Sequence, residues 1–286
     1  MICPDHITPE QLAIKEMQVA GAQGELAARL YLPKTISASH EKSLADSLIV
    51  FFHAGGFICG SVQEGDGFCR ALALNSAMPV LSSSYTLAGQ QPFPAAAEDA
   101  HAVLCWARRN AKKLGWNGKQ MLTAGIEAGG NLAAVASLMA RDRGQPVVCA
   151  QILLMPMLDP GLNSGSMRAL CDKPQVAGVA AGCDRAYRDY LPRAADRTHP
   201  YASPLHSSRL KGLPAALLLS AEDDPLRDEA EQYAQKLQQA GIHAKHCRLP
   251  VVPLQDGAAR SACALQGIAL TEILNFLQDL HLLPDK

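Results

Sequence analysis

One short segment of the sequence presents a reactive side chain between two glycines. The segment Gly125-Ile126-Glu127-Ala128-Gly129 follows a short apolar run and leads into a stretch of small residues. Glycines at this spacing let a strand turn sharply into a helix, so that the central side chain projects over the helix N-terminus. A serine at that centre would be a nucleophile, whereas Glu127 supplies a carboxylate. The spacing also fits an ordinary tight turn, so this segment alone does not decide the fold.

A second segment, His53-Ala54-Gly55-Gly56-Phe57, offers backbone N–H groups as hydrogen-bond donors. It directly follows the apolar run that ends at Phe52. Glycines let the main chain approach a ligand closely, and convergent N–H groups stabilise negative charge that develops on an acyl oxygen. We predict an oxyanion hole whose donors are the backbone N–H groups of Gly55, Gly56 and Ala128.

The elements that must position these segments follow from hydrophobic patterning. Short apolar runs alternate with helical stretches, and the runs begin near Ser47, Met78, Met121, Val147, Ala215 and Ala244. Strands that alternate with helices predict an α/β fold with a mostly parallel sheet covered on both faces. Because crossovers are right-handed, we expect one doubly wound domain over residues 1–286.

Two regions interrupt this alternation. Residues 1–16 precede the first strand-like stretch, Met17 to Leu32, and residues 160–200 read as irregular because they contain Gly161, Gly165 and Pro174. Segments that follow the carboxyl end of a strand lie over the ligand crevice of such a sheet. We expect both regions to form a small helical cap. The alternative for residues 160–200 is a surface excursion without a role.

Composition excludes several classes of protein. The net charge of −1 and the scattered basic residues give no nucleic-acid footprint. No apolar stretch reaches the roughly 20 residues of a membrane-spanning helix. Nine cysteines without a C-x-x-C pair favour reduced thiols over disulfides or a zinc cluster, so we expect no metal and no cofactor. Without the pattern of a signal peptide at the N-terminus, a cytoplasmic location is expected.

Several motifs in the same order resemble one family. Besides the two glycine segments, these are Tyr85–Gln90, Leu154–Asp159, Tyr201–Leu205 and Ser220–Glu229. From about Glu25 onward, the chain resembles the bacterial hormone-sensitive-lipase family of esterases and acetyl-hydrolases. The resemblance implies an α/β-hydrolase fold and a Ser…Asp…His order of catalytic residues. It places Glu127 at the nucleophile position and Asp224 at the acid position.

The histidine that the resemblance requires is missing. Counting from Asp224 brings the base position to Leu254, and the next histidine is His281. His243 and His246 fit an edge strand or the surface. His53 belongs to the segment His53–Phe57, which we call the glycine loop. His6 from the cap stays open as a substitute. The motifs also differ from the family where Thr86 replaces an arginine, Gly89-Gln90 replace Pro-Glu and Ala54 replaces the first loop glycine.

These losses leave three hypotheses of function. We favour a catalytically deficient homologue, a pseudo-esterase that keeps a capped pocket for a small-molecule ligand or acts as a protein-interaction module. The resemblance supports this reuse, since the family includes a plant hormone receptor. The second hypothesis is an enzyme of altered chemistry in which Glu127 acts as general acid or base. The third is a weak carboxylic-ester hydrolase.

Two structural expectations follow for the carboxylates. We expect Glu127 to occupy its own oxyanion hole, because donors laid out for a transient oxyanion also suit a permanent carboxylate. We expect Asp224 to lie at the carboxyl end of its strand and to accept hydrogen bonds from loop backbone. The segment Asp224-Pro225 equally fits a simple helix start.

Overall fold

A single twisted sheet organises the computed structural model, which describes residues 11–34, 44–170, 174–250 and 267–283. Within these residues, eight strands lie in the order β1-β2-β4-β3-β5-β6-β7-β8. Strands β1 and β2 are antiparallel to each other, β2 is antiparallel to β4, and all further pairs are parallel. The strands are β1 (Leu12–Ala20), β2 (Glu25–Pro33), β3 (Ala45–Phe52), β4 (Val80–Ser83), β5 (Trp116–Ile126), β6 (Ala150–Leu154), β7 (Ala215–Ala221) and β8 (Ala244–Leu249).

Helices cover both faces of the sheet, as the alternation predicts. They are α1 (Asp66–Ser76), α2 (Ala95–Arg109), α3 (Ala128–Arg143), α4 (Gly165–Leu170), α5 (Pro174–Tyr190), α6 (Arg227–Gln239) and α7 (Gly267–Asp279). Helix α1 contacts α7, and α2 contacts α3. The chain moves from β3 to β4 in one direction along the sheet, and from β5 through β8 in the opposite direction. Because crossovers are right-handed, the α1–α7 pair and the α2–α3 pair lie on opposite faces of the sheet.

The reversal of strand order falls between β3 and β5. The two strands are parallel neighbours, with Phe52 opposite Gly125 at their carboxyl ends. Ligands of open α/β sheets bind in the crevice outside the carboxyl ends of strands at such a switch point. The glycine loop leaves β3 and the Glu127 turn leaves β5 at this same place, so the topology itself brings the two segments together.

The N-terminal part of the predicted cap is wrong where the structure describes it. Residues 12–16 belong to β1, an edge strand that forms a hairpin with β2. The sequence pattern of β1 did not indicate a strand here, because Lys15 and Glu16 are both exposed and the alternation of apolar and polar residues is weak. Residues 1–10 lie outside the described part, and so does His6.

The second irregular region contains regular structure. Helices α4 and α5 and a 3-10 turn at Ala194–Thr198 lie within residues 160–200. The proline that suggested irregular chain has another role here. Pro174 starts α5, where a missing backbone N–H is harmless. Gly178 and Gly182 lie within α5 and have no atom near the position of an added Cβ.

The described helices and cysteines give two further findings. No helix in the described ranges is long and apolar enough to cross a membrane. The six cysteines that the structure describes are all free thiols; they are Cys59, Cys69, Cys105, Cys149, Cys183 and Cys247.

Candidate functional site

The backbone at Glu127 has the strained conformation of a strand-to-helix elbow. Strand β5 ends at Ile126, α3 begins at Ala128, and Glu127 between them has φ 58° and ψ −114°. A non-glycine residue in such a region costs about 1–3 kcal/mol, so surrounding contacts must hold it. The Glu127 N–H donates to the Leu154 carbonyl oxygen (2.9 Å), and its carbonyl oxygen accepts from the N–H of Met157 (3.1 Å).

Close contact between the elbow and β3 explains the two flanking glycines. A Cβ at Gly125 would overlap the carbonyl oxygen of Gly129, and a Cβ at Gly129 would overlap that of Phe52. Main chain therefore lies directly against main chain at both positions. The sequence pattern alone allowed any tight turn. The contacts show that residues 125–129 form a strand-to-helix elbow that packs against the start of the glycine loop.

The Glu127 side chain reaches the glycine loop. The Gly55 N–H donates a hydrogen bond to Glu127 Oε2 at 3.0 Å. The expected contact between the Glu127 carboxylate and the Gly55 N–H is thus present, and the role of Gly55 as an oxyanion donor stays a prediction. Gly56 and Ala128 stay predicted donors. A bond from N–H to carboxylate is charge-assisted, and is therefore stronger than one to a neutral carbonyl.

The stacked rings of His53 and Tyr85 support the glycine loop. The rings of His53 and Tyr85 stack with centroids 4.4 Å apart, and the Tyr85 hydroxyl donates to the His53 carbonyl oxygen at 3.1 Å. His53 Nδ1 lies 2.6 Å from the Ala54 carbonyl oxygen and donates to it. Burial lowers the pKa of His53, so the ring is neutral near neutral pH. These bonds give His53 the structural role expected from its place in the loop.

Asp224 lies just beyond the carboxyl end of β7, as expected. The side chain is fully buried, and its Oδ1 accepts a hydrogen bond from the Leu226 N–H at 3.0 Å. The expectation that Asp224 accepts a hydrogen bond from loop backbone is confirmed. The same bond also caps the turn before α6, so the helix-start interpretation describes it equally well. The catalytic-acid position stays a prediction.

A further buried carboxylate, Glu229, was overlooked although it ends one of the matched motifs. Its Oε2 accepts from the N–H groups of Leu158 and Asp159, both at 2.9 Å. Burial raises the pKa of Glu229 well above its usual range, and the carboxylates of Asp159 and Asp224 act in the same direction. Glu229 therefore joins the chain beyond β6 to the start of α6. Its burial could not be read from a sequence segment rich in acidic residues.

Three histidines outside the glycine loop have partners that belong to neither the elbow nor that loop. His246 lies in the edge strand β8, and its Nε2 is 2.8 Å from the Ser220 Oγ, while the His243 ring stacks on Phe276. Their assignment to an edge strand or its flank is confirmed. His206 Nε2 lies 3.0 Å from Asp159 Oδ1. The predicted base position, Leu254, falls outside the described residues.

Helix α5 packs on the glycine loop through aromatic side chains. Phe57 and Tyr190 stack with ring centroids 3.9 Å apart, and Tyr187 lies 6.0 Å from Phe57. On the same helix, Ala186 would be 2.9 Å from a Cβ at Gly56. The helix thus lies against the loop that supplies the Gly55 donor. Among the described residues, no group of three His, Cys, Asp or Glu side chains could hold a metal ion.

Comparisons with known proteins agree with this geometry. Residues 49–253 match a family model described as alpha/beta hydrolase fold. The chain is 34% identical over 228 residues to an arylesterase of Saccharolobus solfataricus, covering 80% of this chain and 72% of that protein. It is 32% identical over 235 residues to an ethyl acetate hydrolase of Pseudomonas putida, covering 79% and 70%. The structure of a hyperthermophilic esterase from the archaeon Pyrobaculum calidifontis superposes with a TM-score of 0.82 at 35% identity, covering 94% of this chain and 86% of that one.

Proposed function

Since the chain belongs to the hormone-sensitive-lipase-type family of α/β-hydrolases, we propose that it is a catalytically deficient member that retains a small-molecule site beside Glu127. The observation that carries the proposal is the hydrogen bond from the Gly55 N–H to Glu127 Oε2. In acyl transfer this donor would stabilise the oxyanion of a tetrahedral intermediate. Here a carboxylate of the protein already accepts it.

Glu127 also lacks the properties of a working nucleophile. An ester formed on its carboxylate would need an activated water for hydrolysis, and the sequence supplies no histidine at the base position. The Glu127 oxygen also lies one methylene farther from the backbone than an aspartate oxygen would. An ester of Glu127 would therefore accumulate instead of turning over.

The position of α5 favours a small-molecule site over a protein-interaction module. The helix stacks on Phe57 at the switch point of the sheet, where ligands of this architecture bind. We assign residues 160–200 to a cap on this basis. A protein partner is the alternative for a chain that binds no small molecule.

Chemical rescue tests whether the carboxylate fills the hole. Glu127→Ala removes the acceptor and leaves the Gly55 N–H in place, so free acetate can bind there. We expect acetate at about 100 mM to raise the Tm of Glu127→Ala while leaving the wild type unchanged, because only a vacated site gains stability from ligand binding. Glu25→Ala serves as the matched control, because it removes an exposed carboxylate away from the elbow. Equal responses of wild type and Glu127→Ala would contradict the proposal.

Hydrolysis of p-nitrophenyl acetate and butyrate tests the second candidate, a weak carboxylic-ester hydrolase. The relatives named as esterases favour this candidate. For a deficient homologue, the rate with wild type equals the solution background and shows no burst of one equivalent. Saturable turnover that Glu127→Ala abolishes would overturn the proposed deficiency and establish ester hydrolysis.

A further inference from the structure

A basic cleft lies at the opposite end of α3 from Glu127. Its volume is about 630 Å³, and it is formed by the last turns of α3 and α6 and by residues 207–211. Helix α3 has 16 residues and so spans about 24 Å, which separates the cleft from the elbow. The cleft is therefore a different place in the molecule, and its role does not rest on the proposed function.

Two cationic side chains, Arg141 and Lys236, hold the backbone that lines the cleft. Arg141 Nη1 donates to the carbonyl oxygens of Arg209 (2.6 Å) and Lys211 (3.2 Å), and Lys236 Nζ donates to that of Leu205 (2.7 Å). These bonds fasten the connecting loop to both helices. The backbone that carries Arg209 and Lys211 is thereby fixed before any ligand arrives.

The charge that faces the cleft is strongly positive. Arg141, Arg209, Lys211 and Lys236 oppose one carboxylate, Asp142, which leaves a net charge of +3 on a chain whose total is −1. Both oxygens of Asp142 are already engaged, Oδ1 by Arg141 and Oδ2 by the Tyr201 hydroxyl at 2.8 Å. The carboxyl ends of α3 and α6 each add about half a negative charge, which reduces the positive charge without cancelling it.

Donors in the cleft remain available for a ligand. Within the described part of the chain, the side chains of Arg209 and Lys211 form no hydrogen bond or ion pair, and the Lys236 ammonium uses one of its three donors. The Ser208 hydroxyl and the Gln239 amide also line the cleft. Guanidinium and ammonium groups beside hydroxyl and amide donors suit the several oxygens and multiple charges of a phosphate.

We propose that this cleft binds a soluble small molecule that bears a diphosphate group. The volume falls within the range of about 300–1,000 Å³ that small-molecule sites occupy. Arg209 and Lys211 at the loop and Lys236 on α6 contact the phosphates from two sides. A monocarboxylate would satisfy one of these cations and leave the others unpaired.

Isothermal titration calorimetry with inorganic pyrophosphate tests the site. The titration uses the full chain at about 0.15 M salt, which screens exposed charges beyond about 8 Å. We expect saturable one-to-one binding to the wild type. The double variant Arg209→Gln/Lys211→Gln should bind at least about tenfold more weakly, since it loses two charge-assisted contacts. Lys211→Gln alone provides the same comparison if the double variant does not fold.

A matched control removes the same charge elsewhere. Arg109→Gln/Lys112→Gln changes two exposed cations that do not line the cleft, and it should bind within about twofold of wild type if the cleft is the site. Equal weakening in both double variants would show general charge attraction and overturn the proposal. Absence of wild-type binding to pyrophosphate would overturn it too. So would binding of a poly-glutamate peptide alone, since this would identify an acidic protein segment as the partner.

Discussion

At the elbow, a glutamate differs from a serine in charge, length and hydrogen-bonding capacity. Each difference opposes acyl transfer, because the nucleophile must be short, activated and adjacent to free oxyanion donors. Glu127 instead accepts from Gly55, which is one of the predicted oxyanion donors. The proposed catalytic deficiency thus has a local cause at Glu127. Replacing Glu127 by serine removes only part of that cause.

We predict that Glu127→Ser does not restore useful esterase activity. Serine without a base remains a neutral hydroxyl, and the predicted base position holds Leu254 instead of a histidine. Initial rates with p-nitrophenyl butyrate should match those of wild type. Glu127→Ser/Leu254→His should exceed the single variant. Robust hydrolysis by Glu127→Ser would mean that another residue serves as base and that the count to Leu254 is wrong.

A second residue-scale prediction concerns the pH dependence contributed by Glu229. Its ordinary pKa is 4.5, and burial raises that value in the folded protein. The folded state then binds the proton more tightly, so the free energy of unfolding falls as pH rises above about 4.5 toward the folded pKa. Glu229→Gln has no proton to lose at this position. Relative to Glu229→Gln, the wild type should therefore lose stability as pH rises above about 4.5.

Urea unfolding at several pH values measures this difference. The exposed Glu25 supplies the control, since Glu25→Gln changes a carboxyl that solvent already surrounds. Its stability should follow the wild-type pH profile. Parallel profiles for wild type and Glu229→Gln would show that burial of Glu229 does not shift its titration.

At the scale of elements, the strand-to-helix elbow requires contact between main chains. We predict that Gly129→Ala lowers the free energy of unfolding by more than about 3 kcal/mol or prevents folding, because its Cβ overlaps the Phe52 carbonyl oxygen. Gly182→Ala in α5 meets no atom and should stabilise the protein by about 0.5–1 kcal/mol. Thermal unfolding of both variants checks the pair. A Gly129→Ala variant within about 2 °C of the wild-type Tm would refute the contact.

Elements were predictable where burial imposes a pattern. The buried runs of β3, β6 and β7 and the small-residue helix α3 stand out in the sequence because packing leaves few exposed positions. The second half of β1, from Met17, falls in the predicted strand-like stretch, whereas the first half was missed because an edge strand exposes several of its residues. Helix α5 was not located because Pro174 indicates a loop, whereas contacts with Phe57 hold the chain helical.

The candidate site shows the same division between local and long-range information. The sequence placed Glu127, Gly55 and Asp224 because each follows directly from a strand end. It did not reveal the hydrogen bond from Tyr85 to His53 or the bonds from residues 158 and 159 to Glu229. The first joins residues 32 positions apart, and the others join residues 71 and 70 positions apart. Such contacts depend on the order of strands in the sheet, which no local pattern encodes.

For the whole molecule, burial of thiols provides a reporter of global unfolding. Cys59 is exposed, whereas Cys69 and Cys183 are buried. We predict that a maleimide labels Cys59 in the native protein and that Cys69 and Cys183 react only when the sheet and its helices separate. Burial, with help from the Glu127 carboxylate, raises the pKa of Cys59, so its labelling accelerates as pH rises.

Peptide mapping by mass spectrometry follows each thiol separately. Cys59→Ser should remove the fast labelling at that peptide and leave the slow labelling of Cys69 and Cys183 unchanged. If the buried pair reacted as rapidly as Cys59, the described core would open locally without global unfolding.

Helix α3 carries opposite charges at its two ends, with Glu127 before its first residue and Arg141 and Arg143 in its last turn. Each charge opposes the helix dipole at its own end. A neutral serine at the elbow would leave the positive end of the helix dipole uncompensated. Under the proposed deficiency, the carboxylate at position 127 exchanges activity for thermal stability, because a site that no longer turns over substrate need not stay destabilised.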